Sequence, residues 1–173
     1  MKSTFLFFSI ILVSFCFFHC SNDNHQSIDE NKLKEKMVEV NKAIVKTEEQ
    51  QIEEFISRHG LNMDSTGTGL RFMVVEKSTG RKPGMKETAR IACKIFLLDA
   101  TLCYEYKKEE PLEFVIGNKD VPRGIEEAAL LMQVGDKAKI IVPSHLGYGL
   151  LGDKNKIPGN SSLYVELELL EVL

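Results

Sequence analysis

The spacing of apolar positions along the chain takes three successive forms. From Phe5 to Phe18 the sequence is apolar, relieved only by Ser9 and Ser14. From Ser27 to Arg58 it contains no Gly or Pro and is rich in Glu, Lys and Gln, which predicts one long helix with Ser27 or Asp29 as its N-cap. Within that helix Leu33, Met37, Val40 and Ile44 follow 4-3-4 spacing, a seam of the coiled-coil kind. The seam lapses at Thr47 and Gln51, and Ile52, Phe55 and Ile56 then restore an apolar face before His59-Gly60, where Gly reads as the C-terminal stop. Two heptads are fewer than a self-sufficient coiled coil uses. The pattern leaves two readings open: a segment that forms a homodimer through residues 27–58, or a stalk packed on its own domain.

Beyond Gly60 the period shortens from helical to alternating. Leu70, Phe72 and Val74 alternate with polar or wetter neighbours, and Leu163, Val165, Leu167 and Leu169 alternate with Tyr164, Glu166 and Glu168, so that the last strand should have one buried and one wet face. Further strands are expected at 90–98, 112–116 and 137–142, separated by turn clusters such as Gly80-Arg81-Lys82-Pro83-Gly84. In this region only Ile125, Ala128, Ala129 and Met132 have the spacing of a helix face, with Gly135 as the expected terminator. Several antiparallel strands and one short helix predict an α+β domain over residues 61–173, its sheet wrapped around that helix and preceded by the long N-terminal helix.

The apolar start is too short for a membrane span, which needs about 20 residues, but behind Lys2 it suits the h-region of a signal peptide. At its end stand Phe17-Phe18-His19-Cys20, followed by the polar run Ser21-Asn22-Asp23-Asn24. This junction resembles the lipidation site of a bacterial lipoprotein, with residues 1–19 removed, Cys20 acylated and residues 20–26 serving as a tether; an ordinary secretory signal with an incidental Cys is the alternative. The lipoprotein reading implies export, to the periplasm or the outer membrane, and a membrane partner reached through the lipid.

Composition narrows the chemistry. The 173 residues carry 22 basic and 25 acidic side chains, a net of −3, with no dense Lys/Arg run, which argues against a nucleic-acid partner. Residues 20–60 hold 9 acidic against 6 basic groups and account for most of the imbalance. Cys93 and Cys103 flank a turn at Asp99-Ala100; two buried free thiols are expected, since a disulfide needs Cα atoms within about 7 Å and spacing alone does not supply that. His19, His25, His59 and His145 have no metal-ligand spacing, and Ser144-His145 lack a G-x-S-x-G elbow, so neither a metal nor a cofactor is implied.

The order Pro111-Leu112-Glu113-Phe114-Val115-Ile116-Gly117, Val121-Pro122-Arg123-Gly124-Ile125-Glu126-Glu127, Met132-Gln133-Val134-Gly135-Asp136-Lys137, Val142-Pro143, Gly147-Tyr148-Gly149 and Ile157-Pro158 resembles the C-terminal half of the FKBP-type peptidyl-prolyl cis-trans isomerases. Upstream, Thr68-Gly69-Leu70-Arg71-Phe72 and Lys82-Pro83-Gly84 resemble that family's first strand and loop, so the likeness covers residues 66–173. With its leader and helical lead-in, the whole chain is most similar to the gliding-motility-associated lipoprotein branch.

The resemblance implies an isomerase that assists folding of envelope proteins by acting on X-Pro-containing polypeptide clients. Rotation about an X-Pro amide faces a barrier of about 18–20 kcal/mol because twisting destroys the resonance of the planar bond. An apolar pocket that desolvates the amide, together with donors that hold the twisted form, lowers it without nucleophile or cofactor. Carried over by position, Tyr148, Val121 and Ile157 would be the catalytic residues, Tyr148 bonding a substrate carbonyl. Leu112 stands in for an aromatic, Ile125 for the usual Trp floor, Cys93 and Cys103 for strand aromatics, Tyr104 for a pocket Asp and Val165 for another aromatic; Phe114 completes the substrate pocket. Pro122 occupies a position where the family offers a backbone N–H, which proline lacks. That gap keeps a second function open, an FKBP-fold binding module or holdase with little turnover.

Overall fold

The computed structural model describes residues 30–173. The leader at 1–19, Cys20, the tether at 20–26 and the N-cap candidates Ser27 and Asp29 lie outside the described residues. Two compact units divide the chain, Met1–Asn41 and Lys42–Leu173. Helix α1 spans Glu30–His59 and ends where Gly60 takes φ +60°, as its sequence requires. In the first unit the side chains described for it are exposed, and the seam residues Leu33, Met37, Val40 and, at the start of the second unit, Ile44 keep 36–58% of their surface in contact with solvent.

The second unit is built on one antiparallel sheet of seven strands: β1 (Asp64–Ser65), β2 (Arg71–Glu76), β3 (Thr88–Leu97), β4 (Leu102–Tyr106), β5 (Leu112–Val115), β6 (Lys137–Val142) and β7 (Leu163–Val172). Their order is β1-β2-β6-β7-β3-β4, and β5 pairs with the first part of β3 through Ala89 opposite Phe114 and Ile91 opposite Leu112. Strands β3 and β7 form the spine, and their alternation places Ile91, Cys93, Ile95, Leu163, Val165, Leu167 and Leu169 on one buried face. Helix α2 (Arg123–Leu131) packs on that face through Gly124, Ile125, Ala128 and Ala129. Gly124 makes this approach feasible, because a Cβ there would sit 2.5 Å from Cγ1 of Val142 on β6.

The opposite face is not simply wet. The last turns of α1 lay Ile52 and Phe55 over Ile141, with Leu98 and Tyr164 packed around them, and the Phe55 ring lies 5.2 Å from that of Tyr164. Tyr164 is therefore half-buried, which corrects the expectation of a solvated face along β7 at that end. Arg71 on β2, 7% exposed, joins the same layer: it pairs with Glu49, donates to Glu53 Oε1 at 2.9 Å, and donates to Ser65 Oγ at 2.8 Å and the Gly69 carbonyl at 2.9 Å. Farther along, the expected wet face does appear. Lys139, Glu166, Lys94 and Glu105 stand opposite one another across four strands in alternating sign, with ion pairs at 3.6 Å (Lys139–Glu166) and 3.3 Å (Lys94–Glu105).

Two further details depart from the sequence reading. Helix α2 ends at Met132, whose extended backbone (φ −91°, ψ 164°) stops it, while Gly135 at φ +92° serves the following tight turn into β6. Val74, which alternates with Leu70 and Phe72, is exposed, and the register of β2 shifts just beyond it, between Val74 and Glu76. Gly124→Ala is expected to destabilise the protein by about 1–3 kcal/mol through overpacking against Val142, measured as a lowered urea midpoint. An unchanged midpoint would mean that the helix–sheet distance is not set there.

Candidate functional site

The site residues inferred from sequence converge on the concave side of the sheet. Cys93, Cys103, Phe114, Ile125, Ile157 and Val165 belong to one buried apolar cluster, and Leu112, Tyr104, Val121 and Tyr148 are partly exposed side chains packed against it. Ile125 and Val165 have no exposed surface. A proline ring can therefore meet them only by entering between the partly exposed residues. Tyr106, which the sequence reading did not single out, packs against the same cluster from the end of β4.

Tyr148 is set between two 3-10 turns, Ser144–Leu146 and Gly149–Leu151. Gly147 N–H closes the first on the carbonyls of Pro143 and Ser144 at 3.0 Å each. The second is pinned from behind: Asn160 N–H donates to the Gly149 carbonyl at 2.8 Å, and a Cβ on Gly159 would lie 2.0 Å from the Leu150 carbonyl oxygen. This double constraint fixes Tyr148 on a rigid loop, half-buried, and no described residue hydrogen-bonds its hydroxyl. Burial lifts the Tyr148 phenol to about 12, so it is a proton donor throughout the neutral range. An amphipathic ring with an unclaimed donor over an apolar cluster suits a carbonyl next to a buried imide.

The start of α2 supplies Val121 and Pro122. The Pro122 carbonyl accepts from the N–H groups of Ile125 at 2.9 Å and Glu126 at 3.2 Å, which commits it to opening the helix. Pro122 itself has no N–H to donate to a substrate. Tyr104, expected to stand in for a pocket Asp, is engaged with a neighbouring loop. Its hydroxyl donates to Asp153, Asn155 Nδ2 donates to that hydroxyl at 3.3 Å, and Lys156 Nζ lies 4.9 Å from the ring centroid. Asp153 also accepts from the Ile157 N–H at 2.8 Å, so the Tyr104–Asp153 pair holds the loop that carries Ile157. Sequence reasoning missed Asp153, Asn155 and Lys156. The Asp153-x-Asn155 spacing does announce a side chain folding back on its own turn, since Asn155 N–H donates to Asp153 Oδ1 at 2.9 Å, but it does not announce Tyr104 as the further partner.

Cys93 and Cys103 are free and buried. The β3–β4 register sets Cys93 opposite Tyr106 rather than beside Cys103. Among the described residues no group of three or more His, Cys, Asp or Glu is gathered as for a metal ion.

This arrangement of a half-wrapped sheet, one short helix and a tyrosine-bearing loop has known relatives. FKBP-type peptidyl-prolyl cis-trans isomerase sequences match residues 79–170. The chain belongs to that family. The FKBP-type 22 kDa peptidyl-prolyl cis-trans isomerase of Escherichia coli K12 is 37% identical over 123 residues, covering 70% of this chain and 58% of that protein. FK506-binding protein 2 of Dictyostelium discoideum is 47% identical over 62 residues, 36% of this chain and 47% of that one. The chain thus spans about half the length of the curated relatives it matches. The crystal structure of FkpA from Escherichia coli superposes with a TM-score of 0.64 at 26% identity, covering 96% of this chain and 81% of that one. A peptidyl-prolyl cis-trans isomerase from Pseudomonas syringae shares the fold, with a TM-score of 0.64 at 23% identity over 76% of this chain and 94% of that one.

Within this family fold, Cys93 and Tyr148 leave a titration signature. Burial pushes both the Cys93 thiol and the Tyr148 phenol up to about 12, from ordinary values of 9.0 and 10.0. A group whose pKa is raised by folding keeps its proton after the unfolded chain has lost it. Its contribution is therefore complete below the ordinary value and declines as pH rises toward the folded one. Urea midpoints should fall progressively between pH 9.0 and about 12, and Cys93 should resist iodoacetamide in the folded protein but react after denaturation. A midpoint that is flat across this range, or rapid labelling of the native protein, would contradict the burial assigned to these groups.

Proposed function

We propose that this protein is an exported, lipid-anchored peptidyl-prolyl cis-trans isomerase that acts on X-Pro segments of envelope proteins during their folding. The observation that carries the reading is the unclaimed hydroxyl of Tyr148, held half-buried by a rigid loop over the cluster of Val121, Ile125 and Ile157. A client imide pressed into this cluster loses water, which disfavours its polar planar form relative to the twisted one, while the phenol donates to a neighbouring carbonyl. Binding and catalysis would use no cofactor and no metal. The finer placement among gliding-motility-associated lipoproteins rests on the order of leader, Cys20, helix and domain in the sequence. The exposed seam from Leu33 to Ile44 is the surface a second copy would cover in a homodimer through residues 27–58.

A second reading has its own support. Pro122 offers no N–H, Ile125 and Val165 present no surface, and Tyr104 is engaged by Asp153. A cleft altered in these ways binds an extended segment more readily than it turns one over, as a holdase would.

The readings separate in a prolyl-peptide exchange experiment by NMR. Catalytic amounts of the isomerase should enhance the cis-trans exchange peaks, and Tyr148→Phe should lower the enhancement by about tenfold, the worth of one buried hydrogen bond. Peptide binding without enhanced exchange would establish the binding module instead, and an unaffected Tyr148→Phe would remove the hydroxyl from the mechanism. The tether has a separate check. Metabolic labelling with palmitate should mark the wild-type chain and not Cys20→Ser; label retained in the variant would rule out that anchor.

A further inference from the structure

The loop that presents Tyr148 is gripped by one carboxylate of helix α1. Between residues 41 and 50 Glu48 alone is not fully exposed. Its Oε1 accepts from the Ser144 backbone N–H at 2.5 Å and from the Ser162 hydroxyl at 2.6 Å, and its Oε2 accepts from the Ser144 hydroxyl at 3.1 Å. Ser144 and Ser162 are both buried. Three charge-assisted bonds to buried donors make this the strongest polar contact between α1 and the loops. Ser144 opens the 3-10 turn Ser144–Leu146 that Gly147 closes, and Tyr148 follows at once. Ser162 directly precedes β7, so Glu48 ties the Tyr148 loop to the spine of the sheet.

Two other carboxylates of the helix do a separate job. Glu49 and Glu53 engage Arg71 on β2, which together with Ile52 and Phe55 docks the helix. Glu48 adds no further link to β2; its bonds run to the site loop and to the root of β7. We infer that Glu48 is a positioning residue: through it, helix α1 sets the placement of the Tyr148 hydroxyl over the apolar cluster. This rests on the isomerase reading for its functional meaning, but its structural content stands apart from turnover. Since a displacement of about 1 Å in a positioned group can cost on the order of a hundredfold in rate, a brace of this kind governs activity without touching substrate.

The experiment compares full-length variants by peptide exchange kinetics and by NMR of 13C-labelled tyrosine rings. Glu48→Ala should lower kcat by about tenfold with KM held within about twofold, and should shift the Tyr148 ring resonances. Glu48→Gln keeps an acceptor for the Ser144 N–H, and the Ser144 hydroxyl can reverse its role toward the new amide, so it should restore most of the rate and resonance position. Glu53→Gln weakens docking through Arg71 and should lower the melting temperature while leaving the Tyr148 signals in place. Unmoved Tyr148 signals in Glu48→Ala, or equal movement in Glu53→Gln, would overturn the assignment. Should Glu48→Ala fail to fold, Ser162→Ala removes one donor without altering the helix; it should shift the Tyr148 signals, and their constancy would count against the brace. A wild-type chain without turnover would sink the isomerase reading alone, while Tyr148 signals that still follow Glu48 would uphold the positioning.

Discussion

The close approach of helix α2 to the sheet at Gly124 is the constraint on which the site depends. A side chain at this position would collide with Val142, so the helix can lie against β6 only where its first turn is bare. That contact fixes the depth of Ile125 below it and the place of Val121 and Pro122 just before it. The concave side is then lined by whatever these residues and the facing strands supply. Because protein interiors are close-packed, the room left beside these residues follows from side-chain volumes. Ile125, Val165, Cys93 and Cys103 are compact, and the cluster closes over them, leaving Tyr148, Val121, Tyr104 and Leu112 partly exposed around it.

The second face of the sheet explains why the long helix belongs to the domain and is not merely a spacer. Ile52 and Phe55 cover Ile141, and Arg71, a charged residue in an apolar strand pattern, is satisfied at the same layer by Glu49, Glu53, Ser65 and the Gly69 carbonyl. A guanidinium taken out of water needs that many acceptors to recover its lost hydration. The part of the helix from Glu48 onward is thus committed to the domain, whereas the seam at Leu33, Met37, Val40 and Ile44 has nothing covering it within the described residues of one chain.

Local pattern made most of the fold legible. Period-2 alternation located β3, β6 and β7 to within about two residues, and the Ile125–Ala128–Ala129–Met132 spacing located α2. Gly60 was readable as a helix stop because its left-handed conformation is a local matter. Non-local pairings were not readable. Nothing in the neighbourhood of Tyr104 indicates that Asp153 will take its hydroxyl, nothing near Ser144 indicates Glu48, and the burial of Tyr164 depends on a helix more than a hundred residues earlier. The positions of the site residues could be carried over by motif, but their depth could not. Exposure is set by the volumes of neighbours from four different elements, and a single position reports only its own.

The chemistry asked of this cleft is modest in parts and exacting in arrangement. No bond to substrate is made or broken, so no nucleophile or proton shuttle has to be found; what must be supplied is a dry wall beside the imide and a donor fixed where the twisted amide places its carbonyl. In this protein Pro122 has no N–H and its carbonyl is spent on opening α2, so under the proposed reading the polar work falls to Tyr148. A single hydroxyl tolerates less positional error than two donors acting together, because nothing else corrects the substrate's angle. That places a premium on the rigidity of the loop bearing it. The pinning of Gly149 and Leu150 by residues 159–160, together with the grip of Glu48 on Ser144, supplies that rigidity from two sides. Under the proposed reading, the missing N–H of Pro122 and the bracing of Tyr148 fit together: a single polar contact can discriminate a twisted amide, provided that contact does not move.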